Sequence, residues 1–197
     1  MKKVLLSAVA LLAFGFANAQ EEEKGNGGFS KGSMFVSGAV SIGSDKTGDD
    51  KSSGFEIEPR FGYFVSDNIA IGGKLGYRSD KAEDAFLGDT QDEARLTVGA
   101  FGRYYFTPAS QFSLFGQLGL DYSSVDNKLN DVKENEIGVN LGLGLSYFVS
   151  KNWALEATWA GLGYTTNDNG GDGAEKTNSF GLGADLRAIS FGAVYKF

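Results

Sequence analysis

The sequence predicts an all-β fold: an eight-stranded antiparallel up-and-down β-barrel that crosses a membrane, with short turns at one end and four longer loops at the other. Three observations predict it. Apolar and polar residues alternate over segments of about ten residues. The connections between those segments alternate between short and long. The face opposite the apolar one carries full charges.

Composition sets the frame. The chain has 197 residues, a formal charge of -7, 29 glycines, two prolines (Pro59 and Pro108) and 13% aromatic residues. That length favours one domain. Many glycines beside many rings suit strands that approach one another closely. Cysteine and histidine are both absent. A disulfide framework, thiol chemistry and any Ser–His or His–metal site are thereby excluded. The acidic balance argues against nucleic acid as a partner. No cofactor and no metal is expected.

Residues 1–19 read MKKVLLSAVALLAFGFANA. Lys2 and Lys3 precede an apolar run, and Ala17-Asn18-Ala19 forms a small-residue cleavage site, the pattern of a secretory signal peptide. The run is shorter than the roughly 20 residues that a membrane-spanning helix needs. Without Lys2 and Lys3 the chain keeps 16 basic and 25 acidic residues, a charge of -9. Charges interrupt every later apolar stretch, so only a closed barrel could span. Residues 20–31 are polar and glycine-rich and are expected to form a flexible tail. The barrel is assigned to residues 32–197.

Strand one, residues 34–43, is short and the least regular. In strand two, Phe55, Ile57, Pro59, Phe61, Tyr63 and Val65 share one face, with Glu56, Glu58, Arg60, Gly62 and Phe64 on the other. Strand three sets Ile69, Ile71, Leu75 and Tyr77 against Lys74 and Arg78. Strand four sets Leu96, Val98, Ala100, Tyr104 and Phe106 against Arg95, Thr97 and Arg103. Strand five sets Phe112, Leu114, Leu118, Leu120 and Tyr122 against Ser113, Gln117 and Asp121. Strand six sets Ile137, Val139, Leu141, Leu143, Leu145 and Tyr147 against Asn140 and Ser146. Strand seven sets Trp153, Leu155, Ala157 and Trp159 against Glu156 and Thr158. In the last segment the apolar residues are even-numbered from Phe180 to Leu186 and odd-numbered from Ile189 to Phe197. One bulged strand with a one-residue slip near Arg187 is preferred here over two short strands with a bend, because it keeps the strand count even.

The short connections are residues 66–68, 107–111 and 150–152; the long ones are 44–53, 80–94, 124–135 and 165–178. Tyr63-Phe64, Tyr105-Phe106 and Tyr147-Phe148 recur every 42 residues at the short-turn end, where an interfacial girdle of rings is expected. The long connections are acidic; residues 80–94 hold six carboxylates and one lysine. Residues 167–173 are rich in Asn, Asp and Gly but lack the spacing and the late glutamate of a calcium loop.

The charged residues are Glu56, Glu58, Arg60, Lys74, Arg78, Arg95, Arg103, Asp121 and Glu156. Burying one unpaired charge in an apolar core costs several kcal/mol. The charged face must therefore be internally paired or wet, and the apolar face must meet lipid or another protein; the lack of any charge on it between Phe55 and Trp159 favours lipid. If Val65 pairs with Ile69, Glu56 faces Arg78 and Arg60 faces Lys74. The two cations then need a carboxylate between them, with Glu58 and Glu156 as candidates. An eight-stranded barrel is only wide enough for its own side chains, so these residues are expected to form a salt-bridged plug; the alternative is a narrow path for small solutes or ions.

The chain closes on SFGAVYKF, with Gly192, Tyr195 and the terminal Phe197. That ending, the turn strings YFVSDN and YFVSKN, and the alternating segments resemble the small outer-membrane barrels of the OmpX/OmpA type from about residue 32 to 197. The resemblance implies the outer membrane of a Gram-negative bacterium, outer-membrane lipid around the barrel, and recognition of the C-terminal strand by the outer-membrane assembly machinery. Unlike in the longer OmpA-type proteins, no peptidoglycan-binding domain is expected to follow the barrel. A non-enzymatic protein is expected, contributing to membrane integrity and meeting a surface protein partner through its loops. Small barrels that are enzymes rely on histidine, and a soluble carrier of lipophilic ligands would need an apolar interior.

Overall fold

The computed structural model describes residues 27–170, 173–182 and 190–197. Residues 1–19, expected to be a signal peptide, and residues 20–26 of the expected tail lie outside them. No helix occurs among the described residues. Nine strands follow in order: β1 (Met34–Thr47), β2 (Asp50–Phe64), β3 (Ile69–Asp84), β4 (Gly88–Tyr105), β5 (Phe112–Asn127), β6 (Val132–Phe148), β7 (Trp153–Asn167), β8 (Thr177–Leu182) and β9 (Ser190–Lys196). Each of β1 to β7 pairs antiparallel with the next.

The sheet closes as a barrel of eight staves because β8 and β9 share the last one. β8 pairs with the outer half of β7, and β9 with its inner half; β9 also pairs with β1 from Phe35 to Gly38. A single strand with a one-residue slip is therefore not what forms. The register differs between the two halves: Leu162 pairs with Leu182 but Thr158 with Ser190. The slip expected at Arg187 falls outside the described residues. The change of face has a counterpart in β7, which the alternation alone did not reveal. Leu141 pairs with Leu162 but Gly142 pairs with Ala160, so Gly161 is extra and the outward positions change from odd to even.

The long connections are corrected too. Three of the four, residues 44–53, 80–94 and 124–135, are mostly strand. Thr47 pairs with Asp50 across Gly48 and Asp49, Asp84 pairs with Gly88, and Asn127 pairs with Val132. Gly48 has φ 65° and Asp131 φ 53°, the left-handed conformations that tight turns require. Alternation could not show these strands, because above a membrane both faces of the wall are wet and both carry polar side chains. β1 to β7 run 14 to 18 residues. A tilted strand crosses the bilayer in about 9–11 residues. The wall thus stands about 10–15 Å proud of the membrane as a crown of hairpins.

The outward face is apolar. Leu75, Leu96, Leu118, Leu120, Ile137 and Leu141 are each more than half exposed. Such a continuous apolar belt belongs against lipid rather than water. The inward face has two layers. At the short-turn end lies an aromatic cluster of Phe29, Phe35, Phe64, Phe101, Tyr105, Phe115 and Phe148. Above it lie the charged residues.

Phe29 belongs to the expected flexible tail, and its side chain is packed while Ser30 and Lys31 beside it are exposed. Its ring is 2% exposed and stacks on Phe64 with centroids 4.7 Å apart. The girdle expectation is half corrected as well. Tyr63 and Tyr147 face outward, whereas Phe64, Tyr105 and Phe148 point in. Tyr105 takes the place of Phe64 and Phe148, because the turn bonds Val65–Ile69, Phe106–Leu114 and Val149–Trp153 are equivalent. The middle repeat is displaced by one residue relative to a 42-residue period.

Candidate functional site

The β2–β3 turn sets the register of the charged layer. Val65 N–H donates to the Ile69 carbonyl at 2.9 Å, and Glu56 then faces Arg78 and Arg60 faces Lys74, as expected. Glu58 lies between the two cations. It is 2.5 Å from the Arg60 guanidinium and 3.1 Å from Lys74 Nζ. Lys74 also meets Asp121 at 3.0 Å, and Asp121 accepts a bond from Asn140 at 2.8 Å. Gly99 and Gly119 make room for this group, since a Cβ at either position would collide with Asp121 or Asn140.

Glu156, the other candidate bridge, serves a different cation. Arg103 Nη1 donates to its carboxylate at 2.8 Å, with side-chain exposures of 0% and 5%. Arg103 also donates to Gln117 at 2.7 Å and to the Tyr105 hydroxyl at 3.1 Å. Its guanidinium carbon lies 4.5 Å from the Phe115 ring centre and 5.0 Å from that of Phe101. Arg103 thus joins the charged layer to the aromatic one beneath it.

Toward the outer end the pairs become wetter. Arg78 binds Asp80 at 2.6 Å and Glu56 at 3.6 Å, and Arg95 pairs with Glu136. A cavity of about 460 Å³ opens here, lined among others by Glu56, Glu58, Arg78, Asp80, Glu93 and Arg95. Glu58 is the one member of the Lys74 group that lines it, and neither Arg103 nor Glu156 does, so the cavity ends above the buried layer. All nine expected residues thus lie on the inward face, in four ion-pair groups rather than one network. Sequence reasoning missed Glu136, Asp80 and the aromatic layer. Phe115 shares its parity with Ser113, Gln117 and Asp121, so the same alternation carried the signal.

At the outer tips, Asp84 accepts the backbone N–H groups of Phe86 and Leu87, at 2.8 and 3.0 Å. These two bonds hold its carboxyl below the usual aspartate range. Asp168 is lowered likewise by the backbone and side chain of Asn135 and the backbone of Gly170. Its oxygens accept bonds from Asn135 of β6 and from Gly170; Gly171 and Asp172 lie outside the described residues. Among the described residues no group of three or more acidic side chains is placed to hold a metal ion.

At the other end, Gly192 is opposite Glu156, and a Cβ there would stand 2.7 Å from the Gly38 carbonyl oxygen. Tyr195 packs on Trp153 and on Phe197, with centroids 5.0 and 5.1 Å apart. These three residues therefore form a ring-rich, tightly fitted end of the closing stave.

Residues 6–197 match the family described as "Outer membrane protein beta-barrel domain". The chain belongs to that family. Among solved structures, OprG from Pseudomonas aeruginosa matches with a TM-score of 0.53 and 17% identity, over 86% of this chain and 98% of that one. The outer membrane protein W of E. coli matches with a TM-score of 0.51 and 18% identity, over 85% and 99%. At these identities the likeness is one of fold. No curated protein matches the chain. For an outer-membrane barrel the short turns face the periplasm and the hairpin crown faces out.

Proposed function

We propose that this barrel is a non-enzymatic protein of the cell surface, which reinforces the outer membrane through its apolar belt and engages a protein partner through its acidic outer hairpins. The observation that carries the reading is the β3–β4 tip. Phe86 and Leu87 are 96% and 80% exposed on a turn fixed by Asp84, and the Ala85 N–H is tied to Asp50 of the neighbouring hairpin. An apolar pair held rigidly above the membrane loses little entropy on docking. Carboxylates flank it, which favours a partner with a basic rim. Export after Ala19 and recognition of Gly192, Tyr195 and Phe197 by the assembly machinery belong to the same reading.

Pull-down from intact cells, with each of the four hairpin tips shortened in turn, tests it. Shortening the β3–β4 tip should remove a partner that the other three variants retain. Equal recovery from all four would count against the reading.

The narrow-channel alternative is disfavoured by the buried Arg103–Glu156 pair and the ring layer below it. In planar bilayers the purified protein should show no stable open state. A persistent nanosiemens-scale conductance would overturn the plug.

A further inference from the structure

The three short turns share one device. The Asn68 carbonyl accepts the Tyr105 N–H at 2.7 Å, while the Asn68 side chain donates to the Tyr105 carbonyl at 2.8 Å. Gln111 grips Phe148 in the same two-point way, at 2.8 and 2.9 Å. Asn152 grips Lys196, at 2.7 Å for both bonds. Each turn thus clamps the end of the next hairpin. Where β9 meets β1 there is no covalent turn to do so. There the Ser33 carbonyl accepts the Phe64 N–H, and the Gly32 N–H donates to the Phe64 carbonyl, both at 2.9 Å. The N-terminal segment supplies the fourth clamp.

The same segment covers the mouth. Phe29 N–H donates to the Pro108 carbonyl at 2.7 Å, Lys196 Nζ donates to the Gly28 carbonyl at 2.6 Å, and Lys31 N–H donates to Asp67 at 3.2 Å. The Phe29 ring fills the space between Phe35, Phe64, Tyr105 and Phe148. Gly27 and Gly28 let the chain lie flat, since a Cβ would run into Phe148 at the first and the Ala109 carbonyl at the second. Yet the segment joins no β-ladder, and Ser30, Lys31 and Gly32 are exposed. One ring and a few hydrogen bonds hold it, so it can leave without breaking the barrel wall.

We propose that residues 27–33 form a periplasmic latch: docked, they seal the aromatic layer; released, they open access from the periplasm to the Arg103–Glu156 layer while the barrel stays folded. The latch does not depend on the surface role proposed above.

Hydrogen exchange on the full wild-type chain, folded in lipid, tests it. The Phe29 and Gly32 amides should exchange together, at least about ten-fold faster than the clamped amides of Tyr105, Phe148 and Lys196. Exchange of all five at one rate would show a fixed plug and end the proposal. A second readout uses the absence of native cysteine. Ser146 is 0% exposed, and its hydroxyl has no hydrogen-bond partner. In a Ser146→Cys background, Phe29→Ala should raise the rate of labelling by a small methanethiosulfonate about ten-fold or more, and Phe29→Leu should restore most of the protection. Unchanged labelling in a Phe29→Ala barrel that keeps its heat-modifiable gel migration would overturn the latch. If Phe29→Ala does not fold, the exchange measurement on the wild type decides.

Discussion

Glu156→Ala should destabilise the barrel by about 3–5 kcal/mol, the range for removing one partner of a buried ion pair. The size follows from what remains. Arg103 would keep the Gln117 and Tyr105 bonds and its contacts with the Phe101 and Phe115 rings. It would lose its one carboxylate among the described residues, in a place where its side chain has 0% exposure. Its Nη2 already has no partner, so no neighbouring acceptor stands ready. Glu156→Gln keeps an acceptor oxygen and should fall between the alanine variant and the wild type. The double change Arg103→Met with Glu156→Leu removes both charges and should regain most of the loss, because a buried pair is often no better than well-packed apolar residues. The control is Glu56→Ala. Its partner Arg78 is 3.6 Å away, the side chains are 52% and 43% exposed, and Asp80 also holds the arginine, so less than about 1 kcal/mol should change. Denaturant unfolding in detergent micelles measures all four. A Glu156→Ala loss within 1 kcal/mol of the control would mean that water reaches Arg103 and that the layer is not dry.

What the alternation could and could not reveal follows from what each face meets. Between Phe55 and Ala157 one face meets lipid and the other a polar interior. The faces differ in chemistry there, and the wall, the register of β2 on β3 and the bridging place of Glu58 were all legible. Outside the bilayer the contrast vanishes. Lys51 and Glu83 pair across two strands that read as loops, because both faces of that part of the wall are in water. At the short-turn end it vanishes for the opposite reason. Phe64, Tyr105 and Phe148 point into a dry layer while Tyr63, Tyr104 and Tyr147 point into the interface, so rings occur on both faces. Gly161 is a third case. A bulge exchanges the faces without altering composition, and only its partner strand, through Leu141 and Gly142, fixes where it falls. The packing of Phe29 could not be read at all, since a single ring in a polar stretch acquires its socket from four strands, three of them distant in sequence.

Gly144→Ala should destabilise the barrel by about 1–3 kcal/mol, although alanine is ordinarily the better-tolerated residue in a strand. Three rungs of the inner layer repeat one arrangement. Phe35 is paired with Gly62, Phe101 with Gly72 and Phe115 with Gly144, and in each the ring lies over the glycine directly across the strand. A Cβ built at Gly144 would sit within the Phe115 ring. That ring cannot swing away freely, because Tyr105 packs on it at 5.0 Å and the Arg103 guanidinium lies over it at 4.5 Å. The glycine therefore does two things: it admits the ring, and the ring in turn shields a strand backbone that has no side chain of its own. Gly102 and Gly116 face outward with nothing near a built Cβ, so alanine there should be neutral or slightly stabilising. The comparison separates space from backbone entropy, since all three positions are strand glycines and the contact at a built Cβ differs. Gly62→Ala should behave like Gly144→Ala, with the further sign that Phe35, once displaced, loosens its contact with Phe29. Equal midpoints for Gly144→Ala and Gly116→Ala in denaturant would show that the ring–glycine contacts are incidental, and that the inner layer is held by its charges alone.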